Sequence, residues 1–102
     1  MKKILLFLLM GCMLAACSEK PSGPYVVAHR GYWKTDGSAQ NSISSLQNAG
    51  RIGAYGSEFD VNLTADGQLV VNHDFTYHGL EIAATDFATL HDPSLTLANG
   101  EL

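Results

Sequence analysis

The sequence predicts an α/β fold with a mostly parallel sheet, because a strand pattern, a helix pattern and a second strand pattern follow one another. The apolar run Tyr25 to Ala28 is typical of a strand buried on both faces. Residues 57–63 form the second strand pattern. Between them, apolar residues recur along one helical stripe, at Ile43, Leu46, Ala49 and Ile52.

The first sixteen residues, 1–16, have the pattern of a secretion signal. A basic start precedes an apolar run that is too short to span a bilayer as a mature helix. The run ends in Leu14-Ala15-Ala16-Cys17, which resembles the bacterial lipobox, where the cysteine is acylated. We therefore expect a lipid anchor at Cys17 and a location in the cell envelope, on its periplasmic or extracellular face. A plain signal peptide with a coincidental cysteine is the alternative.

Residues 17–24 are polar and contain proline and glycine, as a flexible tether to a membrane does, so the folded domain is expected over 25–102. Removal of the signal also removes Cys12, which leaves no cysteine free for a disulfide. The whole chain has six basic and ten acidic residues, and two of the basic ones, Lys2 and Lys3, lie in the signal. This acidic balance argues against nucleic acid as a partner.

Several chemically capable residues lie at the predicted strand ends and in the second strand. His29 follows the first strand, and either Asn41 or Ser42 can cap the helix after the loop. In a continuous second strand, Glu58 and Asp60 would share one face. Simple solvent exposure of that face is the other explanation of this alternation.

The turn signal around Asp66-Gly67 allows two paths for the chain that follows. A tight hairpin would lay Glu58 and Asp60 across from Asn72 to Asp74, and the carboxylates would then converge with His73. A strictly parallel barrel would instead run back as a connection before its third strand. Both paths place His73 at a strand end, and the sequence does not decide between them.

Taken together, these residues are the parts that metal-dependent phosphodiester hydrolysis needs. Two histidines, His29 and His73, could exchange protons, and Arg30 could bind a phosphate. Glu58 and Asp60 offer oxygen ligands to a hard cation. For either histidine alone, a satisfied structural role would be the default interpretation.

The order of these motifs resembles the glycerophosphodiester phosphodiesterase family, whose signature runs from His-Arg-Gly through Glu-x-Asp to His-Asp. The match extends from His29 to Asp74. The resemblance implies a TIM-type (β/α)8 barrel, of which this chain would hold the first two or three strands. It also implies hydrolysis of substrates such as glycerophosphocholine or glycerophosphoethanolamine to glycerol 3-phosphate and an alcohol.

Position by position, the resemblance implies that His29 and His73 are the general acid and base, and that Arg30 binds the phosphoryl oxygens. It implies that Glu58 and Asp60 hold a divalent cation, Ca²⁺ or Mg²⁺. The family's third metal-binding carboxylate would come from a later strand, beyond Leu102. The sequence is thus interpreted as the N-terminal part of a longer lipid-anchored enzyme. The alternative is an inactive lipoprotein remnant that binds a cation or phosphate weakly.

A few residues near the motifs remain open to two interpretations. Gln40 stands where the family usually has glutamate. If that position helps to hold the cation, loss of the charge should weaken metal binding, although a glutamine carbonyl can still donate an oxygen. Tyr32 and Trp33 could wall a pocket or simply pack. His78 and His91 are read as ordinary loop or surface residues.

Overall fold

The computed structural model describes residues 22–102, which contain short strands, two α-helices and one 3₁₀ helix. The predicted signal peptide, Cys17 and most of the linker lie outside the described residues. Within residues 22–102, no helix is long and apolar enough to cross a membrane. In chain order the elements are β1 (Val27–Ala28), α1 (Ile43–Arg51), β2 (Gly56–Ser57), β3 (Val61–Leu63), β4 (Leu69–Val71), β5 (Thr76–Tyr77), β6 (Leu80–Glu81), the 3₁₀ helix (Ile82–Ala84) and α2 (Phe87–Leu90).

The βαβ unit predicted at the start of the domain is present. Strands β1 and β2 pair in parallel, with Ala28 opposite Ser57, and α1 connects them. The first strand is shorter than predicted, and its expected burial on both faces is wrong, because Val27 is 52% exposed. Strand β1 has a single neighbour in the described part of the chain and pairs with it over only two residues.

Helix α1 begins after Ser42, which caps it through a reciprocal pair of hydrogen bonds. The Ser45 backbone N–H donates to Ser42 Oγ at 3.1 Å, and the Ser42 N–H donates to Ser45 Oγ at 3.2 Å. The small residues Ser45 and Ala49 form the buried face. Of the apolar stripe, Ala49 is buried, whereas Ile43, Leu46 and Ile52 are exposed.

The second strand predicted over residues 57–63 is instead two strands with a break between them. The Glu58 N–H donates to the Ala28 carbonyl at 2.9 Å, so the chain follows β1 for one residue beyond β2. The Asp60 N–H then donates to the side chain of Asn41 rather than to a strand neighbour. Because the break interrupts the alternation, Glu58 and Asp60 lie in a loop between β2 and β3 and not on one face of a continuous strand.

The hairpin path is the one that the chain takes. Strands β3 and β4 pair antiparallel, with Val61 opposite Val71, and the Asn72 N–H donates to the Asp60 carbonyl at 3.1 Å. A second hairpin pairs β5 with β6. The described residues thus hold three two-stranded sheets and no closed barrel. The most buried apolar side chain among them is Ile82, at the start of the 3₁₀ helix.

Candidate active site at the strand ends

The parallel pairing of β1 and β2 brings two predicted site residues to one edge. His29 follows β1 directly and Glu58 follows β2 directly. His29 Nε2 lies 3.8 Å from Glu58 Oε2, and the same carboxylate oxygen accepts a hydrogen bond from the Arg30 backbone N–H at 3.0 Å. Carboxyl ends of parallel strands are the usual position of functional groups in α/β folds.

Arg30 has an unusual backbone conformation, which several hydrogen bonds hold in place. Its φ is 58°, in the left-handed region that costs a non-glycine residue free energy. Besides the bond to Glu58, the Arg30 carbonyl accepts from the Asn41 N–H at 3.0 Å and from Ser45 Oγ at 3.2 Å. Loop and helix together therefore fix the direction in which the Arg30 side chain leaves the backbone.

The Arg30 guanidinium has one side-chain hydrogen bond and one close carboxylate. Its Nη1 donates to Gln40 Oε1 at 2.7 Å. Its Nε lies 3.9 Å from Asp60 Oδ2, which is too far for a hydrogen bond. Within residues 22–102, Nε is buried and has no hydrogen-bond acceptor. An arginine donor in this state fits an acceptor oxygen from outside the chain, as a phosphate would supply.

Gly31 lets the loop pack directly on helix α1. Its φ is 81°, and a Cβ built there would lie 2.6 Å from Ser45 Cβ and 2.8 Å from the Ser45 carbonyl carbon. No side chain fits in that space. The close approach that requires glycine at position 31 is therefore to helix α1.

Asn41 orders the site rather than the helix. Its Nδ2 donates to Asp60 Oδ2 at 2.9 Å and its Oδ1 accepts from the Asp60 N–H at 3.2 Å. Of the two residues that could cap the helix, Ser42 does so and Asn41 does not. Asn41 also has a positive φ, 56°, a conformation that asparagine tolerates better than most residues.

The donor set fits part of a hard-cation site. Glu58 and Asp60 each use one carboxylate oxygen for a hydrogen bond, to Arg30 and Asn41 respectively. The other oxygens, Glu58 Oε1 and Asp60 Oδ1, accept no hydrogen bond from residues 22–102. Oxygen ligands of this kind suit Ca²⁺ or Mg²⁺. Over the same residues, no group of three or more His, Cys, Asp or Glu side chains lies close enough to hold a metal ion.

His73 follows the hairpin that leaves Asp60. Because Asn72 pairs with Asp60 through the backbone, His73 lies close to the carboxylate segment along the sheet. Its ring Nδ1 lies 2.7 Å from Asp74 Oδ1, a contact that orients the imidazole. Within residues 22–102, the His73 side chain forms no hydrogen bond or ion pair with His29, Arg30 or Glu58. The convergence of these side chains therefore stays a prediction.

The hydrogen bonds identify three residues whose roles the sequence interpretation missed. Gln40 is the acceptor for Arg30, Asn41 holds Asp60, and Asp74 orients His73. The sequence favours a cation-site position for Gln40 and a possible helix cap for Asn41, so neither hydrogen bond follows from it. Asp74 follows its histidine directly, and a carboxylate beside a histidine is a signal that could have indicated the pair.

A cavity of about 400 Å³ lies among the three sheets and the two helices. Its lining is mainly apolar and includes Leu46, Phe59 and Leu90, and it meets the site only through Arg30 and Asn41. Neither Tyr32 nor Trp33 lines it, and His78 and His91 are exposed, as predicted. The candidate site is therefore not this cavity. It is the polar cluster at the strand ends, which consists of His29, Arg30, Gln40, Asn41, Glu58 and Asp60.

Comparisons with known proteins cover the same segment of the chain. The model of the glycerophosphoryl diester phosphodiesterase family matches residues 29–92, a range that contains every residue of the polar cluster. A glycerophosphodiester phosphodiesterase of Caldanaerobacter subterraneus subsp. tengcongensis is 49% identical over 51 residues, which are 50% of this chain and 20% of that protein. The human glycerophosphocholine phosphodiesterase is 44% identical over 63 residues, 56% of this chain and 9% of the human one.

A solved structure extends the comparison to the fold. The crystal structure of a glycerophosphodiester phosphodiesterase from Parabacteroides distasonis superposes with a TM-score of 0.71 at 60% identity, covering 76% of this chain and 32% of that chain. The chain thus spans a third or less of these relatives. Family and structural neighbour imply a TIM-barrel fold, of which the described residues form a partial α/β unit. The chain belongs to the glycerophosphoryl diester phosphodiesterase family.

Proposed function

We propose that the protein is a metal-dependent phosphodiesterase that hydrolyses glycerophosphodiesters to glycerol 3-phosphate and an alcohol. The observation that carries this proposal is the position of Arg30, whose buried Nε has no acceptor in residues 22–102 and which lies beside the carboxylates of Glu58 and Asp60. A cationic donor next to free carboxylate oxygens suits a phosphodiester whose charge a divalent cation shares. The names of the matched relatives support the same substrate class.

In the proposed mechanism, Glu58 and Asp60 hold the cation, Ca²⁺ or Mg²⁺, which when bound polarises a phosphoryl oxygen and offsets the charge of the transition state. Arg30 binds and orients the phosphate. One imidazole of the pair His29 and His73 is neutral and takes a proton from water as its oxygen bonds to phosphorus. The other, protonated, gives its proton to the alcohol oxygen as the phosphorus–oxygen bond breaks. Imidazole suits both roles near neutral pH.

We further propose that the protein is anchored at Cys17 by lipid in the cell envelope and acts there on small glycerophosphodiesters. Support comes from the lipobox-like residues before Cys17 and from the polar tether after it. Labelling of cells with a radioactive fatty acid should mark the wild-type protein and leave Cys17→Ser unlabelled. A labelled Cys17→Ser variant would contradict the anchor at that residue.

The function is tested with the full-length protein on glycerophosphocholine in the presence of Ca²⁺ or Mg²⁺. Asp60→Asn should lose both activity and calorimetric cation binding, because the free carboxylate oxygen loses its charge. His73→Ala should lose activity and keep cation binding, because the histidine handles protons. The matched controls are Asp36→Asn and His91→Ala, whose side chains are exposed and form no hydrogen bond with the site residues within 22–102.

Two outcomes would contradict the proposal. An inactive full-length wild-type protein would favour the remnant that binds a cation or phosphate weakly. Equal loss of cation binding in Asp60→Asn and His73→Ala would contradict the separate roles of carboxylate and histidine.

A further inference from the structure

Within residues 22–102, Gln40 is the one side chain hydrogen-bonded to the Arg30 guanidinium, and it is neutral. An arginine side chain only donates hydrogen bonds, so the atom that Nη1 meets at 2.7 Å must be the Gln40 carbonyl oxygen, Oε1. This fixes the orientation of the amide. The amide nitrogen, Nε2, therefore lies on the side of the group that Arg30 does not occupy.

The Nε2 group has two N–H donors, and it makes no hydrogen bond within residues 22–102. The residue is half-buried, so part of its side chain is already withdrawn from water. Arg30 Nε, on the neighbouring side chain, is likewise a buried donor without an acceptor among the described residues. Two adjacent side chains, joined by the hydrogen bond from Nη1 to Oε1, thus each have a donor without an acceptor among the described residues.

We propose that Gln40 is a substrate-binding residue, whose Nε2 donates to a phosphoryl oxygen while its Oε1 holds the Arg30 guanidinium in place. This inference rests on the proposed function, because it takes the phosphodiester as the ligand. Phosphoryl oxygens have lone pairs enough to accept from Arg30 and Gln40 together. Because the Gln40 amide is neutral, it does not offset the positive charge of the Arg30 guanidinium. That charge stays available to the phosphate.

This inference reverses the expectation that the neutral residue at position 40 is a defect of the cation site. A carboxylate at position 40 would pair with Arg30 and present oxygens, not N–H donors, to an incoming phosphate. Two negative groups would then face each other. Gln40→Glu should therefore weaken phosphate binding, whereas a defect in the cation site would be repaired by it.

The test measures inorganic phosphate binding by calorimetry, and KM and kcat on glycerophosphocholine, with the full-length protein. In Gln40→Glu, the dissociation constant for phosphate and KM should each rise about tenfold or more, as loss of a hydrogen bond to a charged group predicts. The kcat should change less than KM. Gln40→Met, which keeps the length of the side chain and removes both polar atoms, should weaken phosphate binding in the same direction.

Gln68→Glu is the matched control, because it makes the same charge change on an exposed side chain at the far end of the β3–β4 hairpin. It should leave phosphate binding unchanged. Unchanged phosphate binding in Gln40→Glu, or tighter cation binding with higher activity, would overturn the inference. If the wild-type protein binds phosphate as described and does not hydrolyse the substrate, the proposed function fails and the role of Gln40 in anion binding stands.

Discussion

Asn41 holds Asp60 at two points, with its Nδ2 on one carboxylate oxygen at 2.9 Å and its Oδ1 on the backbone N–H at 3.2 Å. The contact fixes both the main chain and the side-chain rotation of Asp60. It occupies Oδ2 and leaves Oδ1 without a hydrogen bond from the described residues. Loss of a partner that orients a metal-binding carboxylate typically lowers metal affinity by about 10- to 100-fold.

Asn41→Gly should lower cation affinity by about 10-fold or more, as removal of such a partner does. Glycine keeps the positive φ of 56° accessible, so the variant tests the side chain and not the backbone. Calorimetric titration with Ca²⁺ or Mg²⁺ measures the effect. Asn48→Gly on α1 is a control for removal of an asparagine side chain outside the site. Unchanged cation affinity in Asn41→Gly would argue against a positioning role for Asn41.

Gly31→Ala should destabilise the protein by roughly 3 kcal/mol, because it combines an unfavourable φ with an overpacked contact. The new Cβ would lie within 2.6 Å of Ser45 Cβ. Gly37→Ala is the matched control, since its φ of 72° is similar and nothing lies within 4 Å of its Cβ. That variant should cost only about 1 to 2 kcal/mol. Urea denaturation gives both values, and equal losses would show that the contact with Ser45 is relieved at little cost.

The edge of the candidate site could be predicted from sequence, because a βαβ unit ends its parallel strands on one side. The place of His29 at this edge follows from the pattern. Its meeting with Glu58 does not, because the predicted strand over residues 57–63 puts Glu58 near its beginning, whereas β2 ends at Ser57. The break between β2 and β3 could not be predicted, because it depends on the tertiary bond from the Asp60 N–H to Asn41. A run that alternates polar and apolar residues has no local signal for such a bond.

Helix α1 also shows that the sequence predicts local structure better than tertiary contacts. Its position and its start near Ser42 follow from local periodicity and capping, and both are correct. Which side chains are buried depends on what packs against the helix. The loop at Gly31 lies on Ser45, so the described residues bury the small side chains and leave Leu46 exposed.

The carboxylate of Asp66 should make stability depend on pH in the acid range. The pKa of Asp66 is lowered by hydrogen bonds from the Thr64 hydroxyl and the Phe87 backbone N–H. A lowered pKa contributes stability that is present above the unfolded-state value, about 3.9, and is lost as pH falls through the folded value. Asp66→Asn should therefore destabilise at pH 7 and matter less near pH 3.

Urea denaturation at the two pH values measures this effect. Asp36→Asn, on an exposed side chain with no hydrogen bond in residues 22–102, is the matched control. If Asp66→Asn costs the same stability at both pH values, the carboxylate charge is not what the hydrogen bonds from Thr64 and Phe87 stabilise.

The β3–β4 hairpin exposes one apolar face, which should make residues 22–102 associate when they are produced alone. Val61 pairs with Val71 and Leu63 pairs with Leu69, so the four side chains share that face, and Leu69 is 73% exposed. Exposed apolar strands of this kind promote intermolecular pairing. Leu69→Lys should reduce the association, because it places a charge in the centre of the contact, whereas Gln68→Lys next to it should not. Sedimentation velocity measures whether monomers or larger species are present. A monomer that also unfolds cooperatively would contradict the prediction, because it would show that other residues cover the apolar face of the hairpin.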